Sequence, residues 1–384
     1  MSVLMQSDPF GMILWFLMFF VFIFLYPRLM LSQLIFKIEQ SARKMEDMSR
    51  KANNMISKRV SQNPGKELKN EISAFTDFFV VEPSNIDPYG LVRKIDQTIR
   101  NMEDRFEEFV NKIYRGKEKQ EINYSLRAAI GLRQIAKIVR HNVELAKKFK
   151  NLQIAMILQM QMPIIEKIAE SEFKGTEAFL SGLPIGDSIG PLVAASYIEK
   201  EKPIAEDIIY DKVNIKNRVC FVLRAAGPEP RLGRIDEAID KIMKKNKIAR
   251  IVTIDAAQKL EGEKTGSVAE GVGFAMGGIG QREMIENVLL SKKKPIDSIV
   301  IKVGMMEAII PMKKEIYNAL PAARKMVEKS LERTRKNEKV IIIGVGNSSG
   351  VPNNKRSIDG LKKIVERFDK KQKQEEEKKK GGWF

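Results

Sequence analysis

Residues 339–347 read KVIIIGVGN. Val340, Ile341, Ile342 and Ile343 form an unbroken β-branched run, which favours extended backbone. No polar residue alternates through it, so both faces of such a strand have to be covered. A strand of that kind belongs inside a sheet with helices packed on each side. The pattern therefore predicts a parallel, interior strand over 340–345.

The neighbouring sequence agrees. RVCFVLRAAG (218–227) predicts a strand and its exit, GRIDEAIDKIMKKNK (233–247) a helix, and ARIVTIDAA (249–257) a second strand. Strand, helix, strand at this spacing argues for a parallel βαβ unit. DSIVIKVG (297–304) adds a strand and AARKMVEKSLERTRK (322–336) a helix. The fold class expected for residues 176–366 is α/β, with a mostly parallel sheet of phosphorylase/hydrolase-like type.

Functional groups in such sheets gather beyond the carboxyl ends of the strands. Asp255 follows RIVTI and Asn347 follows VIIIGVG. Asp187 sits in GLPIGDSIGPLVA (182–194), between glycines and ahead of an apolar helical run. An aspartate there either caps a helix or carries chemistry. Two carboxylates within reach of one another in a low-dielectric site share a proton, hold a cation or bind a basic group. The glycine-rich stretch 261–280 has neither the glycine-to-lysine spacing of a phosphate-binding loop nor the setting of a dinucleotide fingerprint. Two prolines in AAGPEPRLGR (225–234) argue against a continuous N–H cradle there.

The N-terminal half has a different texture. PFGMILWFLMFFVFIFLYP (9–27) carries no charge and matches the ~20 residues that cross a bilayer. Its length and flanks do not suit a cleaved secretory signal. Arg28, Lys37, Arg43 and Lys44 follow it, and only Asp8 is charged before it, which places the N-terminus outside the cell membrane and the bulk of the chain in the cytoplasm. Residues 1–33 thus read as a single-pass anchor. Residues 34–62 read as a helical stalk whose heptad-spaced seam (Ile35, Ile38, Ala42, Met45, Ser49, Ala52 and Ile56) pairs with a second chain or with the protein's own helices. Residues 63–175 read as a helical domain. Its methionine-rich run, NLQIAMILQMQMPIIEKIAE (151–170), reads as core rather than as a peptide groove. Residues 367–384 read as a charged tail, either a solvated helix extension or disordered.

The 384 residues carry a formal charge of +18, one cysteine (Cys220) and one histidine (His141). One cysteine excludes an intrachain disulfide, and one of each excludes a Cys/His zinc site. The charge suggests an anionic neighbour, lipid or nucleic acid. Nucleic acid is the weaker candidate, because aromatic residues are not interleaved with the basic runs.

GDSIGPLVA (186–194) resembles an element of the hydrogenase-maturation endopeptidases and the spore germination proteases. IVTIDAA (251–257) is similar to their second acidic strand end, and residues 296–332 to their final strand, Met-Glu turn and helix. VIIIGVGN (340–347) resembles their first strand, which in those proteins comes before the Gly-Asp loop; here it comes after, as in a circular permutation. The chain as a whole resembles an archaeal family of uncharacterised membrane-anchored proteins. The peptidase resemblance implies Asp187 and Asp255 as a catalytic pair, with Gly186, Asn347, Ser348, Glu270 and Glu307 as binding groups. It implies no certain cofactor, although a divalent cation at Asp187/Asp255 is compatible with it. The function expected is a membrane-anchored carboxylate-pair endopeptidase acting on a polypeptide. The alternatives are a non-catalytic scaffold that keeps the fold, and a binder of anionic ligands or nucleic acid.

Overall fold

The computed structural model describes residues 9–80, 91–273 and 294–381. The chain forms two compact units. One holds the chain up to Lys51 together with Gly131–Glu170; the other holds Ala52–Ile130 and the chain from Ser171 onward. The helices expected as one domain over 63–175 are therefore shared between the two.

The segments expected as anchor and stalk belong to one helix, α1 (Pro9–Val60), which contains Pro27 and lies in the first unit up to Lys51. One helix here is long and apolar enough to cross a membrane. Side chains from Met12 to Leu29 are exposed, and cover begins at Met30. Ile38, Ala42, Met45 and Ser49 are then buried. Their cover comes from α4 (Lys119–Phe149) and α5 (Leu152–Leu180). Arg140 donates to Glu46 at 2.7 and 2.9 Å and to Glu39 at 2.8 Å. Lys147 reaches Glu39 at 2.7 Å. On α5, Glu166 accepts from Ser41 at 2.6 Å and from Lys44 at 2.9 Å. Lys147, with Arg140 behind it, holds the Glu39 carboxyl down at about 2. The seam is thus covered by the chain's own helices, the second of the two pairings its spacing allows.

The methionine run departs from its expected core role. Ala155, Leu158 and Met162 are buried, but Met156, Ile157, Met160 and Ile164 are exposed.

The second unit is built on a seven-stranded sheet in the order β1-β2-β3-β7-β4-β6-β5. The strands are β1 (Lys202–Ala205), β2 (Ile208–Ile215), β3 (Arg218–Ala225), β4 (Ile248–Gln258), β5 (Val268–Val272), β6 (Ile296–Val303) and β7 (Lys339–Gly344). β7 is interior and parallel to both neighbours, β3 and β4. Val340 and Ile342 pack into the core beneath α6 (Ile189–Ala195) and the helix Leu320–Leu331. Ile341 and Ile343 pack on the other face, against α7 (Ile235–Lys245). That two-sided cover is what the run VIII requires.

The sheet is mixed rather than mostly parallel. β1 and β2 pair antiparallel at one edge, and β5 pairs antiparallel with β6 at the other. These three strands lack the apolar runs that announce the central four. β2 leaves Lys212 and Asn214 exposed. It turns into β3 through Lys216 and Asn217, both left-handed at φ 52° and 61°, the conformation a two-residue hairpin demands. No strand precedes the Gly-Asp loop: α5 extends to Leu180, and Ile185 makes only an isolated bridge to Pro311.

At the charged tail the chain is helical, but the start of that helix is not solvated. The helix Leu361–Gly381 continues through residue 367, and its first turns dock. Val365 and Asp369 are buried. Phe368 packs beside Leu183 and Ile185, and Asp369 accepts the Lys314 N–H at 3.3 Å.

Candidate active site

The site assembles at the carboxyl ends of β4 and β7. The Val345 N–H donates to the Ile254 carbonyl at 2.8 Å. That bond sets Asp255, the next residue of β4, beside the turn Val345–Gly346–Asn347. Gly346 has φ +117°, a conformation L side chains rarely adopt. A Cβ there would lie 2.3 Å from the Asp187 carbonyl oxygen. The turn can therefore close on the Gly-Asp loop only with glycine at this position.

The loop is pinned from its other side. Asp187 N–H donates to the Ala308 carbonyl at 2.8 Å and Gly186 N–H to that of Ile310 at 3.2 Å. A Cβ on Gly186 would sit 2.2 Å from the Glu307 carbonyl oxygen, so this position requires glycine for close approach. Between the two contacts, Asp187 Oδ2 accepts the Asn347 N–H at 2.7 Å. The residues that bond here are 160 positions apart in sequence. Asp187 is not a helix cap: neither the short 3-10 turn Gly186–Ser188 nor α6 has a side-chain cap of that kind from it. Its carboxylate faces the β7 turn instead.

Asp187 and Asp255 line one cleft of about 380 Å³. Asp255 is only 4% exposed. Burial, reinforced by the neighbouring Asp187 charge, pushes its carboxyl well above the ordinary range. Burial also raises Asp187, while the Asn347 N–H works in the opposite direction by stabilising its charged form. The pair is therefore asymmetric. Asp255 is raised the further of the two because the Asp187 charge adds to burial there, although the Ala256 N–H opposes it as the Asn347 N–H does at Asp187. Two carboxyls raised to different extents are an arrangement that proton-transfer chemistry near neutral pH can use.

The remaining expected site residues divide. Asn347 is at the site, but through its backbone; its Oδ1 accepts the Ser349 N–H at 2.9 Å. Ser348 is not a site group. It is fully buried, and its hydroxyl lies 2.8 Å from the Ala226 carbonyl and 2.7 Å from that of Glu229, while it also accepts the Arg231 N–H at 3.0 Å. It ties two loops together. Glu307 accepts from Gly304 N–H at 2.8 Å, Thr265 at 2.9 Å and Lys313 at 2.9 Å. These partners outweigh burial and hold its carboxyl low, so it clamps the turn on which the Asp187 loop rests. Glu270, on β5, forms a two-pronged ion pair with Arg333 at 2.5 and 3.0 Å and is no part of the cleft.

Sequence reading missed the outer wall. Ile99, Met102 and Glu103 from α3 (Leu91–Ile113) and Arg127 from α4 line the same cleft. Arg127 stacks over the Tyr124 ring at 4.7 Å and the Phe106 ring at 5.0 Å. Burial raises the Glu103 carboxyl, with Arg127 opposing it. Their helical spacing reads as an ordinary amphipathic stripe, so no local signal marked them. Among the described residues, no three His, Cys, Asp or Glu side chains converge to hold a metal ion. Two carboxylates, each already accepting a backbone amide, are a sparse donor set for a divalent cation that takes about six oxygens.

Fold and site together define a mixed α/β protein with a carboxylate pair at the strand ends and a long apolar N-terminal helix. Two family models match the chain side by side: the DUF1512 N-terminal domain, a protein of unknown function, over residues 12–182, and the DUF1512 C-terminal domain, a domain of unknown function, over residues 185–352. The chain belongs to this family. No curated protein and no solved structure matches it.

Proposed function

We propose that the protein is a membrane-tethered hydrolase of peptide bonds in which Asp255 is the acid and Asp187 the base. The observation that carries this reading is the shared cleft, where one carboxyl is buried and raised and the other accepts the Asn347 N–H. In the reaction, Asp187 takes a proton from water as its oxygen attacks the scissile carbonyl carbon. Asp255 gives its proton to the carbonyl oxygen. Collapse of the tetrahedral species returns that proton to Asp255 while the proton on Asp187 passes to the departing nitrogen, and the C–N bond breaks. Water is consumed, a carboxyl and an amine are released, and both carboxyls return to their starting states. The walls made by Ile99, Met102, Leu232 and Met305 suit an apolar side chain of the substrate.

The likeness of GDSIGPLVA and VIIIGVGN to the hydrogenase-maturation and germination peptidases supports the same reading. β7 lies directly beside the Asp187 loop although it follows it in sequence, an arrangement we interpret as a circular permutation of that peptidase order. We read α1 as a single-pass anchor in the cell membrane, with the basic residues after it holding the bulk of the chain in the cytoplasm.

The test is a comparison of protein termini in membranes supplied with the full chain or with its Asp255→Asn and Asp187→Asn variants. New termini should form with the parent and be lost with both variants. Equal termini from all three would overturn the assignment and leave the scaffold reading.

A further inference from the structure

The first unit carries an apolar face that its own packing leaves open. Residues 151–165 contain no charge, and along α5 the side chains of Met156, Ile157, Met160 and Ile164 are 46%, 54%, 78% and 60% exposed. Four large apolar groups on one stripe of a helix are not a scatter of single surface residues. Phe149, at the end of α4, is 61% exposed beside exposed Lys148 and Lys150. The α4–α5 turn is thus an apolar tip ringed by cations.

The ion pairs fix how far along α1 that tip reaches. Glu166 of α5 is level with Ser41 and Lys44. α5 runs parallel to α1, since Glu170, further along it, also meets Lys44. Stepping back from Glu166 to Leu152 at about 1.5 Å per residue covers about 21 Å. The same distance along α1 ends close to Met30. Met30 is independently the first α1 side chain that is not fully open, so the two observations agree. The tip stops where the bare apolar segment Met12–Leu29 begins. About 10 Å further along, α1 exposes Phe36 and Lys37, again an aromatic beside a cation, and Lys147, two residues before Phe149, meets Glu39 just beyond them.

We infer that the α4–α5 tip is a second membrane contact: Phe149, Met156 and Ile157 enter the boundary between headgroups and acyl chains of the bilayer that α1 spans, and Lys148 and Lys150 meet its anionic headgroups. This rests on the reading of α1 as membrane-spanning. The occupant is lipid because the face is continuous with the anchor, lies at the level where the anchor leaves the bilayer, and joins apolar groups to cations as interfacial segments do. The contact fixes the rotation and tilt of the first unit, which a single spanning helix leaves free.

The test uses the full chain in vesicles of phosphatidylcholine with a minority of phosphatidylglycerol. Nitroxide labels are placed singly through Phe22→Cys, Phe149→Cys, Met156→Cys and Ile138→Cys, all at exposed positions. Native Cys220 is buried, with its thiol pushed up to about 12, and does not compete. Collisions with oxygen, which enters lipid, are compared with collisions with a water-soluble nickel chelate. The labels at 149 and 156 should lose chelate contact and gain oxygen contact, as at 22, while 138 on the same helix stays open to chelate. Labels at 149 and 156 that match 138 while 22 is shielded would overturn the inference and leave the anchor standing. Shielding of 149 and 156 from both reagents would mean cover by protein and would also overturn it. Chelate contact at 22 would remove the anchor, and this inference with it.

Discussion

Asp187 and Asp255 differ in what adds to burial: the Asp187 charge raises Asp255 further. Both carboxyls are raised by burial and both are opposed by a backbone N–H, Asn347 at Asp187 and Ala256 at Asp255, but only Asp255 is raised further by its neighbour's charge. The consequence for stability has a definite sign. Asp255 titrates higher in the folded chain than in the unfolded one, so the folded state holds more protons between those two values. Stability therefore falls as pH rises through that window, from the ordinary carboxyl value up to the raised one. Asp255→Asn removes the need to take up that proton on folding. It should raise the melting temperature at neutral pH, with an advantage that shrinks as pH falls toward the ordinary carboxyl range. A variant less stable than the parent at pH 7 would contradict the raised state. Gly346→Val is the converse test of geometry. Its strained φ and the contact with the Asp187 carbonyl should cost about 1–3 kcal/mol and abolish activity with both carboxyls still present. Retained activity would show that the turn is not what aligns the pair.

At the scale of elements, β7 carries the architecture. Ile342 is fully buried beneath the α6 face, and Ile342→Ala should cost about 2–5 kcal/mol in denaturant unfolding. A loss well under 1 kcal/mol would mean that the strand is not central. This strand was legible because a run apolar on both faces has one home, the covered interior of a sheet. The Gly-Asp and Gly-Asn turns were legible for a related reason: glycines beside a polar residue at a strand end mark close backbone approach. The edge strands were not legible, since β2 and β5 face solvent in part and their residues alternate weakly. Nor were Glu103 and Arg127, because an amphipathic helix shows which face is buried and not what it is buried against. Ser348 and Glu270 misled for the opposite reason. Polar residues in glycine-rich loops look free in sequence, and here each has partners: backbone groups at Ser348, and Arg333 at Glu270.

For the whole molecule, the unpackable segment lies at one end. Deleting residues 1–32 should move the protein from the membrane to the soluble fraction, since the exposed Met12–Leu29 stretch goes with it. A deletion variant that still sediments after a high-salt wash would refute a single anchor. At the other end, removing residues 375–384 should leave thermal unfolding unchanged, whereas ending the chain at Arg367 removes Phe368 and the buried Asp369 and should cost about 2 kcal/mol. Equal melting temperatures for the two truncations would show that the helix does not dock. Between these ends, the central claim is that two distant aspartates form one electrostatically coupled site. It is tested most directly by carbon-13 titration of the aspartate carboxyls in the full chain, with Asp255 assigned by its loss in Asp255→Asn. Asp255 should titrate well above the ordinary carboxyl range, and Asp187→Asn should bring it down. An Asp255 that titrates normally, or one indifferent to the loss of Asp187, would contradict the account.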